Sequence, residues 1–308
     1  MTLPVFGAIA LAMRATNTSA FAVAALGIFS YSIMDAIMKS LSIANGAYSA
    51  VLWRSVAGAV LTGVVFLWRG HGWPRGAALR LHLTRGTAAG LSVLLFFWGL
   101  VRVPMAQSVA LTFLAPLMAL FLAGLLLGEK IRRAAIYGSV VATLGVLVIA
   151  LGQARSGASG DTLLGSGAII LASILYAYSL ILLRRQAQIA SPLEVALFTS
   201  LVIAGLQLTG APWLASWPRL DQLPVITIAA AIGSASAMML AWAYGRAETQ
   251  VLAQVEYTAF LWAAALGWLV FGEHVSWFTA GGAALIIAGC LVAVRGPSAP
   301  APQTEAAA

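Results

Sequence analysis

Charge is scarce in this chain. Asp, Glu, Lys and Arg together make up 8% of its 308 residues, against roughly 25% in a soluble domain. A soluble fold must present a polar coat to water, and too little charge is here to build one. A protein embedded in a bilayer needs no such coat. Histidine is rarer still, with only His71, His82 and His274. No paired acidic motif and no His/Cys/Asp/Glu cluster at ligand spacing stands in the sequence. No metal site and no metal-assisted enzyme chemistry are therefore expected. The single cysteine, Cys290, excludes an intrachain disulfide and reads as a small packing residue. A glycine-rich phosphate loop is also missing, which excludes ATP-driven work by this chain alone. No cofactor is implied.

What the chain has in abundance is apolar length, with 61% of its residues hydrophobic. A helix needs about 20 apolar residues to cross the hydrocarbon core. Runs of that size fall near 20–43, 47–68, 84–102, 105–127 and 132–151, then near 162–183, 192–212, 222–244, 249–271 and 276–294. The reading is an all-α integral membrane protein of ten transmembrane helices. Residues 1–19 form a disordered or amphipathic leader, since their apolar stretch is too short to span and its first charge, Arg14, follows it. Residues 295–308, rich in Pro and Ala, read as a disordered tail.

The net charge of +8 comes mostly from arginines in short connections, and no basic module exists to hold nucleic acid. With the N-terminus in the cytoplasm, one side collects Arg14, Arg69, Arg75, Arg80, Arg85, Lys130, Arg132, Arg133, Arg184, Arg185, Arg246 and Arg295. The other side receives only Lys39, Arg102, Arg155 and Arg219. That bias places both termini in the cytoplasm of a multi-pass, bacterial inner-membrane protein with lipid as its solvent.

The two halves of the chain repeat each other. LAGLLLGEKI around Gly128-Glu129 recurs as AALGWLVFGEHV around Gly272-Glu273, an offset of 144 residues. At that offset Gly138 falls on Gly282, Gly145 on Gly289, Trp98 on Trp242 and Arg102 on Arg246. One residue out of register, Tyr31 falls on Tyr176 and Lys39 on Arg184. Five spans per half, over 20–151 and 161–294, force the second copy upside down in the membrane. Inverted repeats of this kind support alternating access around a midplane site.

On these residues the chain resembles the EamA-type members of the drug/metabolite transporter superfamily. Their repeat ends in a long helix, a Gly-Glu turn and a Gly-rich last helix. Here that is Pro116 to Leu127, Gly128-Glu129, then Gly138 and Gly145, repeated in the second half with Phe260 in place of the proline. The resemblance implies a ten-helix basket around a central cavity lined by spans 1, 3, 4, 6, 8 and 9. It also implies that spans 5 and 10 lie peripherally, often at a homodimer contact. Bacterial exporters of amino acids, aromatic ones included, are closest in size and layout.

Charged groups inside a span are expensive and are functional candidates. Asp35 lies in the first span with Lys39 one turn on, on one helix face where the two can pair. Arg54 lies two turns into the second span, where an Asp35–Arg54 pair would keep both charged. Such a pair either pins spans 1 and 2 together or couples substrate or protons. Glu256, two turns into span 9, either binds an amine or proton or acts as a gate or packing residue. Tyr31, Trp98, Tyr178, Trp242 and Tyr257 are candidate aromatic walls. Ser108, Thr112 and Gln254 are candidate hydrogen-bonding groups for a substrate. Pro116 is a candidate hinge, because it removes a backbone donor in mid-span. The four repeat glycines read as packing. Glu129 and Glu273 read as caps of the helices that follow them. Together these features point to a secondary exporter of small metabolites, most of all aromatic and other neutral amino acids. The alternatives are an uptake transporter, for example for S-adenosylmethionine, and a membrane-embedded enzyme.

Overall fold

In hydrocarbon a backbone N–H or C=O finds no water, so an apolar chain must close its hydrogen bonds within helices. The structure, a computed structural model, follows that demand: among the described residues it is helical, with no strand. It describes residues 3–70, 72–127, 133–157, 159–186, 189–244 and 255–294, with side chains from residue 19 onward. The helices are α1 (Leu3–Asn45), α2 (Ala47–Trp68), α3 (Ala77–Leu100), α4 (Met105–Thr112) and α5 (Leu114–Leu127). Next come α6 (Arg133–Arg155), α7 (Gly160–Gln186), α8 (Pro192–Leu208) and the short α9 (Ala211–Leu214). They are followed by α10 (Leu223–Tyr244), α11 (Thr258–Phe271) and α12 (Trp277–Val294). The backbone of the expected leader is helical from Leu3 and runs without a break into the first apolar stretch.

Six of the described helical stretches are long and apolar enough to cross a membrane, namely Ser19–Asn45, Ala47–Trp68, Ala77–Leu100, Ile136–Arg155, Gly160–Leu183 and Leu220–Leu240. Four shorter apolar helices, Met105–Ala119, Pro192–Leu208, Thr258–Phe271 and Trp277–Val292, complete the apolar inventory. Two of these apolar runs are interrupted. The run through Pro116 is cut at Phe113, between α4 and α5, and the run ending at Phe271 is cut at Tyr257.

The first cut follows from proline chemistry. Pro116 has no N–H for the carbonyl of Thr112, and its ring crowds that carbonyl. The helix therefore stops at Thr112 and restarts at Leu114; the side chain of Pro116 itself lies outside the described residues. Neighbouring helices supply donors to the loosened backbone. The Cys290 thiol on α12 donates to the Phe113 carbonyl at 3.2 Å, and the Ser173 hydroxyl on α7 lies 3.4 Å from that of Leu111. The second cut has no proline. There the Thr258 hydroxyl donates to the Val255 carbonyl at 2.6 Å, and the Phe260 N–H bonds to Tyr257 in a tight turn. The two cuts face each other. The Phe113 and Tyr257 rings meet edge to face at 5.3 Å between centroids.

Around this point the helices pair as α1 with α10, α3 with α7, α2 with α8 and α6 with α12. α4 sits at the centre, with Met105 through Leu111 all buried. The pair α6–α12 is held at backbone distance by the repeat glycines. A Cβ on Gly145 would lie 2.5 Å from the Gly282 carbonyl, and one on Gly289 would lie 2.4 Å from the Gly138 carbonyl. These are backbone obstacles that no rotamer change relieves. Gly289→Val is therefore expected to cost about 2–3 kcal/mol. Gly167→Ala, where nothing lies within 4 Å, is expected to be neutral or slightly stabilising. Thermal unfolding of the two variants in detergent reads the contrast, and equal melting points would refute the close-packing account.

Candidate functional site

The polar groups inside the bundle fall at three levels, set by where each helix starts and ends. At the end marked by Asn45, the Lys39 side chain is only 3% exposed. Its Nζ donates to the Val103 carbonyl at 3.1 Å, ion-pairs with Glu273 and lies 5.0 Å from the centre of the Phe271 ring. The other oxygen of Glu273 accepts the Met105 N–H at 2.6 Å. One carboxylate thus ties α1, the start of α4 and the end of α11 together. Two expectations are corrected here. Lys39 pairs with Glu273 rather than with Asp35, because α11 brings a carboxylate to it from a distant part of the chain. Glu273 caps α4 rather than the helix that follows it. Glu129 lies outside the described residues.

The middle level holds the charged candidates. Helical rise places Arg54 about 10 Å and Asp35 about 15 Å from the Asn45 end of their helices. By the same count, Tyr31, Arg85, Tyr176 and Glu256 all lie about 21–24 Å from it. Tyr31 feels the charges of Arg54, Asp35 and Arg85; Tyr176 feels those of Glu256 and Arg85. Asp35 and Arg54 are electrostatic neighbours but form no ion pair within 4 Å. The expected direct pair is thus corrected. The Arg54 guanidinium leans instead to the Met34 thioether, 3.6 Å away, and lies 5.8 Å from the centre of the Phe97 ring. Arg85 donates to the Thr199 hydroxyl at 2.7 Å. Tyr176 is 47% exposed although it lies deep along α7, within electrostatic reach of Tyr31 on α1, Arg85 on α3 and Glu256.

At the opposite end His82 is fully buried between α3, α7 and α8. Its Nε2 lies 3.0 Å from Glu194 Oε1, its Nδ1 meets the Gln186 amide, and its ring lies 4.7 Å from that of Phe198. With the Gln186 amide donating at Nδ1, the Nε2–H donates to Glu194.

The remaining candidates fall as follows. Tyr257 lies at the second helix cut, beside Cys290. The Ser108 hydroxyl is buried and spent on the Pro104 carbonyl at 3.1 Å, and that of Thr112 on Val109 at 2.7 Å. Trp98 is covered by the Arg102 guanidinium, 3.6 Å from its ring centre, near the Asn45 end. Tyr178 is half-buried on α7, and Trp242 is 37% exposed near the end of α10. Gln254 lies outside the described residues. Arg85 and Tyr176 escape a reading of the sequence, although the register match of Tyr31 to Tyr176 points at the second of them. The dip in hydropathy over Arg80, His82 and Arg85 reads as a connection, while α3 in fact begins at Ala77.

Three charged side chains and two phenols inside long apolar helices, with Glu256 just before α11, suit a multi-pass membrane transport protein. The model of the EamA-like transporter family matches the chain twice, over residues 18–151 and 163–295, and the chain belongs to that family. Its family and relatives are transporters, not enzymes. Over 280 residues the chain is 25% identical to the pseudopaline exporter CntI of Pseudomonas aeruginosa, a match covering 88% of this chain and 94% of that one. Over 275 residues it is 24% identical to an uncharacterized transporter of Helicobacter pylori, covering 86% and 91%. One crystal structure aligns with a TM-score of 0.61 at 22% identity, over 90% of this chain and 98% of the other. That likeness concerns the fold alone.

The Lys39–Glu273 contact makes a quantitative prediction. Glu273→Gln strands a buried ammonium and is expected to cost about 2–3 kcal/mol, allowing for the partial exposure of the carboxylate. Adding Lys39→Met removes the stranded charge and should recover more than half of the loss. Thermal melts of wild type, single and double variants form the test; a double variant no better than the single one would contradict it.

Proposed function

We propose that this chain is an inner-membrane secondary transporter that exports small zwitterionic metabolites of the amino-acid class by alternating access. The observation that carries the reading is the set of charges of both signs in the middle of the bundle, Asp35 beside Arg54, with Glu256 and Arg85 each within electrostatic reach of Tyr176. A zwitterion needs groups of both signs, and charges this far from water are retained for function far more often than for packing. Export is favoured by the relative named for exporting pseudopaline. The candidate aromatic walls Trp98 and Trp242 lie away from the charged level, so neutral and aromatic amino acids enter as zwitterions first and by their side chains second.

The ten-span, two-half architecture belongs to the same proposal. Six long and four shorter apolar stretches make ten crossings when each cut run counts as one. The principal helix pairs answer one another when the halves are exchanged. α1–α10 answers α3–α7, α1–α11 answers α5–α7, and α2–α10 answers α3–α8, while α2–α8 and α6–α12 answer themselves. The two helix cuts at Phe113 and Tyr257 stand at the 144-residue offset of the sequence repeat. Both termini face the cytoplasm by the arginine bias, which makes the Asn45 end external. The Lys39–Glu273–Met105 knot supports a state sealed at that external end, and coupling to protons would run through Asp35 or Glu256.

Counterflow in proteoliposomes with labelled amino acids, nucleosides and S-adenosylmethionine tests the substrate class. Saturable exchange of amino acids, lowered at least tenfold by Asp35→Asn and by Glu256→Gln, is the expected result. If no amino acid exchanges in competable fashion, the amino-acid reading falls. If both variants keep the wild-type rate and pH response, neither residue binds or couples.

A further inference from the structure

We propose that a void beside Gln107 is a water site, and that the water there joins the Gln107 amide to the Glu273 carboxylate, which makes Gln107 a positioning residue of the Lys39–Glu273–Met105 knot. Gln107 is the third residue of α4, whose N-cap is Pro104. A glutamine at that place ordinarily reaches back to the N–H of the N-cap residue. Proline has no N–H, so that use is closed. The side chain is only 5% exposed, and its Nε2 is buried with no hydrogen-bond partner among the described residues. A buried amide donor left in that condition is costly, and a native fold gives it an acceptor.

The same side chain lines a void of about 10 Å³, bounded by Pro104 on the α4 side, Gly267 on α11, Glu273 and His274 in the turn that follows, and Thr279 on α12. About 10–15 Å³ of such space admits one water and little else. Glycine at 267 keeps the space open: a Cβ there would lie 2.9 Å from Glu273 Oε2 and 3.4 Å from the Met105 Cβ. The chemistry of the walls selects the occupant. The orphan atom is a donor and calls for an acceptor, which sets a cation aside, and the Glu273 carboxylate sets an anion aside. Water both accepts from the amide and donates to the carboxylate. Each oxygen of Glu273 already holds one donor, from Lys39 and from the Met105 N–H, and a carboxylate has about four acceptor sites, so capacity remains. The Thr279 hydroxyl, 2.9 Å from that of Ser276, is a third polar neighbour. His274 and Val275 on the rim are exposed, so water reaches the site from the Asn45 end of the bundle. With the bridge in place, Glu273 is tied to the first turn of α4 through two residues, Met105 and Gln107, instead of one.

The test uses the purified full chain in lipid nanodiscs as wild type, Gln107→Met and Gln107→Asn. Methionine keeps the length of glutamine and removes its donor, whereas asparagine keeps the amide. A cryo-EM map that shows other buried waters is expected to show density within hydrogen-bond reach of Gln107 Nε2 and a Glu273 oxygen. That density should remain in Gln107→Asn and vanish in Gln107→Met. Amide hydrogen exchange at the start of α4 is expected to rise at least about fivefold in Gln107→Met and at most about twofold in Gln107→Asn, with α6 and α12 unchanged, the mark of a local opening. The wild-type map decides the site, and no density there overturns it. Density that persists in Gln107→Met overturns the part given to Gln107. Exchange that is equal in all three proteins, or that rises across the whole bundle, overturns the positioning role.

Discussion

An ammonium group inside an apolar bundle has to be satisfied by the protein, because lipid offers it nothing. Lys39 shows how much of the architecture follows from that one demand. Its three neighbours, the Glu273 carboxylate, the Val103 carbonyl and the Phe271 ring, come from segments more than sixty residues away along the chain. Glu273 in turn holds the first free N–H of α4, where the helix dipole favours a negative charge. Satisfying one lysine thereby fixes the start of the central helix, and with it the depth at which Phe113 and the helix cut stand.

The same rule applied to the backbone explains the centre of the bundle. A cut helix exposes carbonyls that water cannot reach. Here they accept from the Cys290 thiol and have the Ser173 hydroxyl close by, while the aromatic residues at the two cuts close over each other. Cys290, a packing residue by composition, is thus also a donor. A thiol behaves as a small hydrophobe with one weak donor, which suits a place where α12 passes close to the cut and a single carbonyl needs company.

How much of this is legible in the sequence depends on whether the cause is local. The glycines at 138, 145, 282 and 289 are readable, since small residues at helical spacing have one use, the close approach that α6 and α12 make. The cut near Pro116 is readable from the missing N–H. The cut at Tyr257 is not, because nothing in its own residues demands it; it depends on Thr258 bonding back to Val255 and on the ring of Phe113 opposite. Lys39 and Arg85, at the edges of their apolar runs, count with the membrane faces rather than with the buried charges, for a related reason. Hydropathy ends a span at a charge, whereas a helix continues through a charge whose partner arrives from another helix. Partners such as Glu273 for Lys39 and Thr199 for Arg85 are tertiary facts, and no window along the chain contains both members.

The division between shared and unshared residues follows from what a carrier must do. Its two states have to lie within a few kcal/mol of each other for a ligand to move it between them. On the alternating-access reading, packing that survives exchange of the halves supplies that near-equality, because an interface that opens on one side has a counterpart that closes on the other. The motif residues fit the same logic. The repeat that carries Glu129 to Glu273 at 144 residues and Lys39 to Arg184 one residue out of register leaves one acid and one base in the sequence for each end. Binding cannot follow this rule, since a site built twice over would present like charges across the axis. The charges of the middle level accordingly break the repeat: Asp35 answers to Leu180, Arg85 to Ala229, and Glu256 to Thr112. Symmetry keeps the two states close in energy, and its local loss at those positions gives a ligand something to bind.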